Sequence, residues 1–178
     1  MLFRSVHPQT VFFGLQYFLK EYLAGPVVTR AAIDEADELC RQHFGQPVFN
    51  RADWEYILSV HGGRLPVEIR AVPEGTVVDS SNVLMTVENT DERVFWLTNY
   101  IESLLVETWY PSTVATQSRA MKQVILRALV RSGDPAQIPF KLHDFGFRGV
   151  TCPEQAALGG LAHLTSFLGT DTLVALRF

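Results

Sequence analysis

The sequence predicts an α/β protein in which an α+β domain, residues 1–139, precedes the first two βα units of an incomplete α/β barrel, residues 140–178. Two observations predict this fold. Apolar residues at helical spacing flank a stretch with period-two alternation. The carboxyl-terminal residues then follow the order strand, helix, strand, helix, which implies parallel strands. Because the chain ends inside the last predicted helix, we expect a truncated barrel.

Composition excludes several classes of protein. The chain has 178 residues, of which 47% are hydrophobic and 19% charged, with a net charge of −4. It therefore lacks the basic excess of a nucleic-acid-binding protein and the composition of a disordered one. No apolar run is long enough to span a membrane. Cys40 and Cys152 form neither a disulfide framework nor a zinc motif, so we expect a cytoplasmic protein without a protein-bound metal.

Helices are predicted in the first sixty residues from apolar spacing and from capping residues. The first predicted helix covers residues 11–22. Thr29 and Asn50 are placed to cap two further helices, and Gly62-Gly63 ends the second of these. This part of the chain is therefore predicted to be mainly helical.

Residues 65–91 alternate with period two between turn signals, which predicts three short strands. Helical spacing returns at Val94 and is broken at Tyr110-Pro111. A long helix is then predicted over residues 112–131.

The carboxyl-terminal segment contains the predicted βα units. FKLHDFG and LTSFLG are predicted strands, and TCPEQAALGGLAHL is the helix between them. Thr151 and Glu154 have the spacing of a capping box. DTLVALRF is predicted to begin the second helix.

Three side chains follow the predicted parallel strands, at the strand ends where α/β folds bind ligands. Phe145 can stack on a flat ring, and Arg148 in the same loop can meet an anion. Asp171, after the second strand, can accept a hydrogen bond. These residues suit a flat aromatic ligand that carries an N–H donor and lies near an anionic group.

Each of these residues also fits a structural role, and the residues by themselves indicate no reaction. Asp171 could cap a helix, Phe145 could pack in the barrel core, and Arg148 could be a solvated loop charge. His163 is expected to be a structural hydrogen-bonding residue. Cys152 is expected to be a buried, inert thiol, although its place near a helix start would also suit a lowered thiol pKa.

The segment KLHDFGFRGVTCPEQAALGGLAHLTSFLGTDTLVAL resembles the nicotinamide phosphoribosyltransferases, a family of type II phosphoribosyltransferases. FFGLQYFLKEYLAGPVVT, LPVEIRAVPEGTVV, NVLMTVENTD and FWLTNYIESLLVETWYPSTVAT resemble further blocks of that family in the same order. The resemblance therefore covers nearly the whole chain.

The resemblance implies a pentosyltransferase that transfers 5-phosphoribosyl from phosphoribosyl pyrophosphate to nicotinamide in NAD salvage. Its products would be nicotinamide mononucleotide and pyrophosphate. It further implies Mg²⁺ bound with phosphoribosyl pyrophosphate, ATP as an activator, and a homodimer. In this sequence the ring-stacking phenylalanine of the family falls on Phe145. The arginine beside the pyridine and phosphate pocket falls on Arg148, and the acceptor of the carboxamide N–H falls on Asp171.

Two other functions stay open. Nicotinate phosphoribosyltransferases resemble this family but tend to show FG-x-RR and TSN where this sequence has FGFRG and GTDT. Asp171 would repel the nicotinate anion and accept the N–H of an amide. Family members are well over twice this length, and their reaction-centre residues have no counterpart in this sequence. We therefore assign no catalytic residue and expect the chain alone to be inactive, or to be a non-catalytic homologue that binds ligand or a partner subunit.

Overall fold

The structure is a computed structural model that describes residues 7–177. It consists of helices and strands in open sheets, which confirms the α/β class. The helices are α1 (Leu15–Phe18), α2 (Arg30–Phe44), α3 (Arg51–Val60), α4 (Leu97–Val106), α5 (Trp109–Ser132) and α6 (Pro153–Leu164). The strands are β1 (Gln9–Val11), β2 (Val67–Ala71), β3 (Val77–Asp79), β4 (Met85–Asn89), β5 (His143–Asp144) and β6 (Gly169–Thr170). Leu19–Leu23 is a π-helical turn, and 3₁₀ turns cover Glu92–Val94, Pro135–Phe140, Gly146–Gly149 and Leu173–Arg177.

The strands form three two-stranded sheets, and within residues 7–177 they close no barrel. β1 pairs antiparallel with β3, and β2 lies beside β4. β5 pairs parallel with β6, with His143 opposite Gly169 and Asp144 opposite Thr170. The three strands predicted between residues 65 and 91 and the parallel order of the last two strands are confirmed.

The chain divides into two compact units. Unit 1 comprises Met1–Tyr17, Ala71–Thr86 and Leu104–Phe178, and unit 2 comprises Phe18–Arg70 and Val87–Ser103. The predicted domain boundary between residues 139 and 140 stays a prediction, because it lies inside unit 1 at a point that this division does not test. No helix in residues 7–177 is both long and apolar enough to cross a membrane.

Of the two capping residues predicted in unit 2, one caps its helix through its side chain and the other does not. Thr29 Oγ1 accepts a hydrogen bond from Ala32 N at 3.2 Å, which confirms it as the cap of α2. Asn50 stands at the N-cap of α3, but its side-chain amide donates to Asp53 Oδ2 at 2.8 Å. Asn50 therefore orients an acidic side chain in the first turn instead of capping a backbone N–H.

Two predicted helix boundaries in unit 1 are wrong, the first because of tertiary contacts and the second because a proline can begin a helix. Val11 belongs to β1, where it pairs with Val77, and its N–H donates to Thr116 Oγ1 at 2.9 Å. Pro111 lies in the first turn of α5 and ends no helix. A proline is tolerated there because the first turn makes no intrahelical use of its N–H.

Gly14 follows β1 and lets the chain pass close to α5 in unit 1. Its φ is +103°, and a Cβ at this position would overlap Pro111 Cγ and lie 2.9 Å from Pro111 Cβ. Glycine is thus required here both by the backbone conformation and by the contact. Val11 of β1, Ala115 of α5 and Ala162 of α6 form a buried apolar cluster in the same unit.

We expect Gly14→Ala to lower the free energy of unfolding by about 3 kcal/mol, because backbone strain and overpacking add. Gly75→Ala is the matched control in the same unit, since Gly75 has a φ of +80° but a Cβ there would meet no atom within 4 Å. It should cost about 1 kcal/mol from the backbone alone. Chemical denaturation measures both, and equal losses would contradict the role of the Pro111 contact.

Asp91 in unit 2 is held by three hydrogen bonds. Oδ2 accepts from His61 Nε2 at 2.8 Å and from Tyr56 Oη at 2.9 Å, and Oδ1 accepts from Arg93 N at 2.9 Å. The bond from His61, followed by those from Arg93 and Tyr56, holds the pKa of Asp91 below its usual value. A carboxyl of this kind stabilises the fold above its unfolded pKa, and the contribution disappears as the pH falls through the folded pKa.

We therefore expect the stability difference between wild type and Asp91→Asn to shrink as the pH falls below about 4. Protonation then removes the charge of Asp91 in the wild type, whereas the variant has no charge at this position to lose. Denaturation curves collected at a series of pH values measure this difference. Glu88→Gln removes an exposed carboxylate and should keep the acid sensitivity of the wild type. A difference that stays constant down to low pH would rule out this role of the Asp91 charge.

Candidate functional site

The parallel pair β5–β6 brings together the two loops that carry the predicted site. Asp171 N donates to Asp144 O at 3.0 Å, which extends the pairing one residue beyond β6. Phe145 follows β5 directly, and Asp171 follows β6 directly. The two residues therefore leave neighbouring strands at the same edge, as the parallel order predicts.

Two glycines allow this arrangement because they leave space for other groups. The ring of His143 lies against Gly169, where any Cβ would overlap it. A Cβ on Gly160 of α6 would lie 3.1 Å from Thr170 Oγ1 and 3.2 Å from Thr172 Cβ. Helix α6 thus packs closely against the end of β6, and a side chain at residue 160 would require Thr170 or Thr172 to shift by a few tenths of an ångström.

Phe145 is exposed at the start of the first loop. The residue retains 59% of its accessible surface, and its ring stacks on His143 with centroids 5.9 Å apart and planes inclined by 27°. Phe145 does not pack in the core of the part of the chain that the structure describes. An aromatic face at a strand end, supported from one side, is suited to stacking on a planar ligand.

Arg148 lies three residues further on, in the 3₁₀ turn Gly146–Gly149, and is exposed. It forms no ion pair with any residue between 7 and 177. Its charge is therefore free to meet an anion that approaches this edge.

Asp171 is exposed, and Oδ1 accepts a hydrogen bond from Thr172 Oγ1 at 3.3 Å. The segment after it forms the 3₁₀ turn Leu173–Arg177 where a helix was predicted. Within the described residues its side chain accepts no backbone N–H of that turn, so helix capping is not its role here. The remaining lone pairs of the carboxylate can accept from a ligand.

Asp144 is the residue that sequence reasoning missed. Oδ1 accepts from Gly146 N at 2.9 Å, and Oδ2 accepts from Thr170 Oγ1 at 2.8 Å. The sequence does contain a signal, because Asp-x-Gly at a strand end is typical of a turn in which the aspartate binds the backbone two residues on. Asp144 lies in the predicted strand FKLHDFG, and no role was predicted for its side chain.

Residues around this edge have structural roles. His163 is buried and is hydrogen-bonded to Ser118 Oγ at 3.0 Å and to Leu142 O at 3.3 Å, which confirms its predicted role. Burial raises the pKa of Tyr110, and the negative charge of Asp144 adds to this effect. Cys152 is exposed, so its predicted burial is wrong.

The start of α6 also differs from the prediction. Thr151 and Glu154 form no capping box, since Thr151 N and Oγ1 instead pair with Gln155 Oε1 at 3.2 and 2.9 Å. The helix begins at Pro153, where a proline is favoured because its missing N–H needs no partner.

The strand edge thus offers an aromatic face, a cation and a carboxylate, all exposed. This combination can bind a flat ring, an anion and an N–H donor, but it supplies none of the paired acid, base or nucleophile geometry that chemistry at a bond requires. Among residues 7–177, no group of three or more His, Cys, Asp or Glu side chains could hold a metal ion. The geometry is therefore suited to an aromatic ligand and gives no indication of a reaction.

Two family models match the chain. The model for the nicotinamide phosphoribosyltransferase N-terminal domain matches residues 3–69, and the model for the nicotinate phosphoribosyltransferase (NAPRTase) family matches residues 140–178. The second match includes Phe145, Arg148 and Asp171. The first lies mostly in the segment that forms unit 2.

Curated relatives match over most of this chain. A nicotinamide phosphoribosyltransferase of Xanthomonas campestris pv. campestris is 56% identical over 174 residues, which cover 97% of this chain and 36% of that protein. The protein of the same name from Acinetobacter baylyi is 34% identical over 176 residues, covering 94% of this chain and 35% of that protein. The chain spans 36% and 35% of the length of these two relatives.

Proposed function

Because the chain belongs to the nicotinamide phosphoribosyltransferase family, we propose that it forms the nicotinamide-binding part of an enzyme of NAD salvage. That enzyme transfers 5-phosphoribosyl from phosphoribosyl pyrophosphate to nicotinamide, giving nicotinamide mononucleotide and pyrophosphate. The observation that carries the proposal is that Phe145 and Asp171, both exposed, leave adjacent parallel strands at the same edge.

Phe145 stacks on the pyridine ring of nicotinamide. The residue is 59% exposed at a strand end and its ring rests on His143, so the other face of the ring can receive a planar ligand. Offset stacking of two aromatic rings is worth about 0.5–1.5 kcal/mol beyond the area it buries.

Asp171 selects the carboxamide. A carboxamide presents N–H donors, which an ionised carboxylate accepts in a charge-assisted hydrogen bond. Nicotinate presents a negative charge in the same place, and two carboxylates in contact repel each other. The charge of Asp171 thus favours the amide over the acid.

Arg148 contributes a positive charge near the ring, suited to the phosphate of the phosphoribosyl group. The reaction breaks the bond between ribose and pyrophosphate, which builds positive character on the ribose and negative charge on the leaving group. The residues of this chain bind and orient nicotinamide for that step, and we assign none of them to the bond-breaking itself.

The remaining features of the proposed enzyme follow from the family and stand as proposals. Mg²⁺ would enter with phosphoribosyl pyrophosphate and offset the charge of the leaving group. Since no metal-binding group occurs in residues 7–177, we assign no residue of this chain to the ion. We further propose a cytoplasmic homodimer, with ATP as an activator. We expect the 178-residue chain to be inactive by itself.

A nicotinate phosphoribosyltransferase is the second candidate. The match of residues 140–178 to the NAPRTase family model favours it, since this segment holds all three site residues. The charge of Asp171 opposes it for the reason given above. A non-catalytic homologue that only binds ligand or a partner subunit is the third candidate, and turnover by the natural protein that contains this sequence excludes it.

The first prediction for this site concerns selectivity. In the natural protein, Asp171→Ser should lower kcat/KM for nicotinamide by roughly 10- to 100-fold, the cost of a lost hydrogen bond to a charged group. The value for nicotinate should stay constant or rise, because the repulsion is removed. Glu88→Ser is the control for loss of an exposed carboxylate elsewhere. An unchanged ratio of the two kcat/KM values would contradict a hydrogen bond between Asp171 and the carboxamide.

The second prediction concerns stacking. Phe145→Ala should raise KM for nicotinamide about tenfold, because the pyridine ring loses its aromatic partner. Phe147→Ala is the matched control, since Phe147 lies in the same loop and is 45% exposed. Steady-state kinetics on both variants measures the effect. Equal increases in KM would indicate a general disturbance of the loop and contradict stacking on Phe145.

A further inference from the structure

We propose that Asp144 is a positioning residue that fixes the separation between Phe145 and Asp171, and thereby makes the site selective for a ring that carries a carboxamide. This inference rests on the proposed function. It concerns a residue that touches neither ring nor carboxamide in that proposal and acts through the two residues that do.

The carboxylate of Asp144 links the two loops directly. Oδ1 accepts the N–H of Gly146 at 2.9 Å, in the loop after β5. Oδ2 accepts the hydroxyl of Thr170 at 2.8 Å, at the end of β6. Each carboxylate oxygen therefore holds one loop, and both bonds are charge-assisted.

The same residue holds the backbone on either side of both site residues. Phe145 lies between Asp144 and Gly146, the two ends of one of these hydrogen bonds. The N–H of Asp171 donates to the carbonyl of Asp144 at 3.0 Å. Thr170 Oγ1, bound to the carboxylate, accepts in turn from Thr172 N at 3.1 Å. The backbone flanking Phe145 and that flanking Asp171 are thus fixed to one residue, through its carbonyl and through its carboxylate.

Gly146 leaves room for this carboxylate. A Cβ on Gly146 would lie 2.8 Å from Asp144 Oδ1, which is closer than a Cβ normally approaches an oxygen, whereas a Cβ on Gly160 of α6 would lie 3.6 Å from Asp144 Oδ2, at ordinary van der Waals distance. Because Asp144 is half-buried, its two hydrogen bonds, and not close packing, hold the carboxylate in place.

The separation matters because nicotinamide is rigid. Its carboxamide is conjugated with the ring, so the distance from ring face to N–H donor is fixed by the ligand. Stacking on Phe145 and hydrogen bonding to Asp171 are satisfied together only at one spacing of the two side chains. A misplacement of about 1 Å can cost up to about a hundredfold in rate or affinity.

Asp144→Asn tests the link with little change of shape. An amide has one acceptor oxygen and one NH₂ donor, so either Gly146 N–H or the Thr170 hydroxyl proton loses its acceptor. Thr170→Val removes the link from Asp144 to β6 together with the hydrogen bond from Thr172 N to Thr170 Oγ1, and leaves the bond from Gly146 N to Asp144 in place. Thr170→Ser retains the hydroxyl and is the matched control. These threonine variants keep the test informative if Asp144→Asn fails to fold.

The experiment uses the natural protein that contains this sequence. It measures kcat and KM for nicotinamide, and it measures the inhibition constant of pyridine, a ring that lacks the carboxamide. Asp144→Asn should raise KM for nicotinamide by roughly 10- to 100-fold and change pyridine binding less than about threefold. Thr170→Val should show a smaller loss of the same kind, and Thr170→Ser should match wild type. In an Asp171→Ser background, Asp144→Asn should add little, because the contact that it positions is gone.

Three results would overturn the inference while the proposed function stands. They are an unchanged KM in both Asp144→Asn and Thr170→Val, equal losses for nicotinamide and pyridine, and losses that add fully to those of Asp171→Ser. Absence of nicotinamide turnover and binding in the wild-type protein would instead overturn the proposed function, and this inference with it.

Discussion

The parallel pairing of β5 with β6 is the constraint on which the candidate site depends. It places the residue after each strand at one edge, and the bond from Asp171 N to Asp144 O carries the pairing to the site itself. Gly169 lies beneath the ring of His143, and a Cβ at residue 169 would overlap that ring in its present position. The ring that supports Phe145 therefore lies where glycine leaves room for it.

Charge is distributed differently at the site and in unit 2. In unit 2, Arg51 is hydrogen-bonded to Asp34, Asp37 and Glu55, and these bonds raise the pKa of Arg51. The hydrogen bonds from Arg30 and Arg51 in turn lower the pKa of Glu55. At the strand edge Arg148 has no ion pair among residues 7–177. The charge of Arg51 is thus paired within the fold, whereas the charge of Arg148 at the strand edge is available to a ligand.

Sequence reasoning succeeded where neighbouring residues determine the structure. Thr29 caps α2 through a bond to a backbone N–H three residues on, and the strands between residues 65 and 91 follow from alternation and turns. It failed at Val11, where helical spacing was outweighed by pairing with β3 and by a bond to Thr116, more than a hundred residues away. Such contacts leave no local pattern, because each partner looks ordinary in its own segment.

The sequence by itself determined the α/β class, the parallel order of the last two strands, and the three side chains that leave them. These follow from periodicity, from turn residues, and from the rule that ligands bind at the carboxyl ends of parallel strands. Only the tertiary structure decided that Asp144 holds both loops, that Cys152 is exposed, and that Asp171 caps no helix. The physical reason is register: a slip of one residue between β5 and β6 would separate Asp144 from Thr170, and no local signal fixes that alignment.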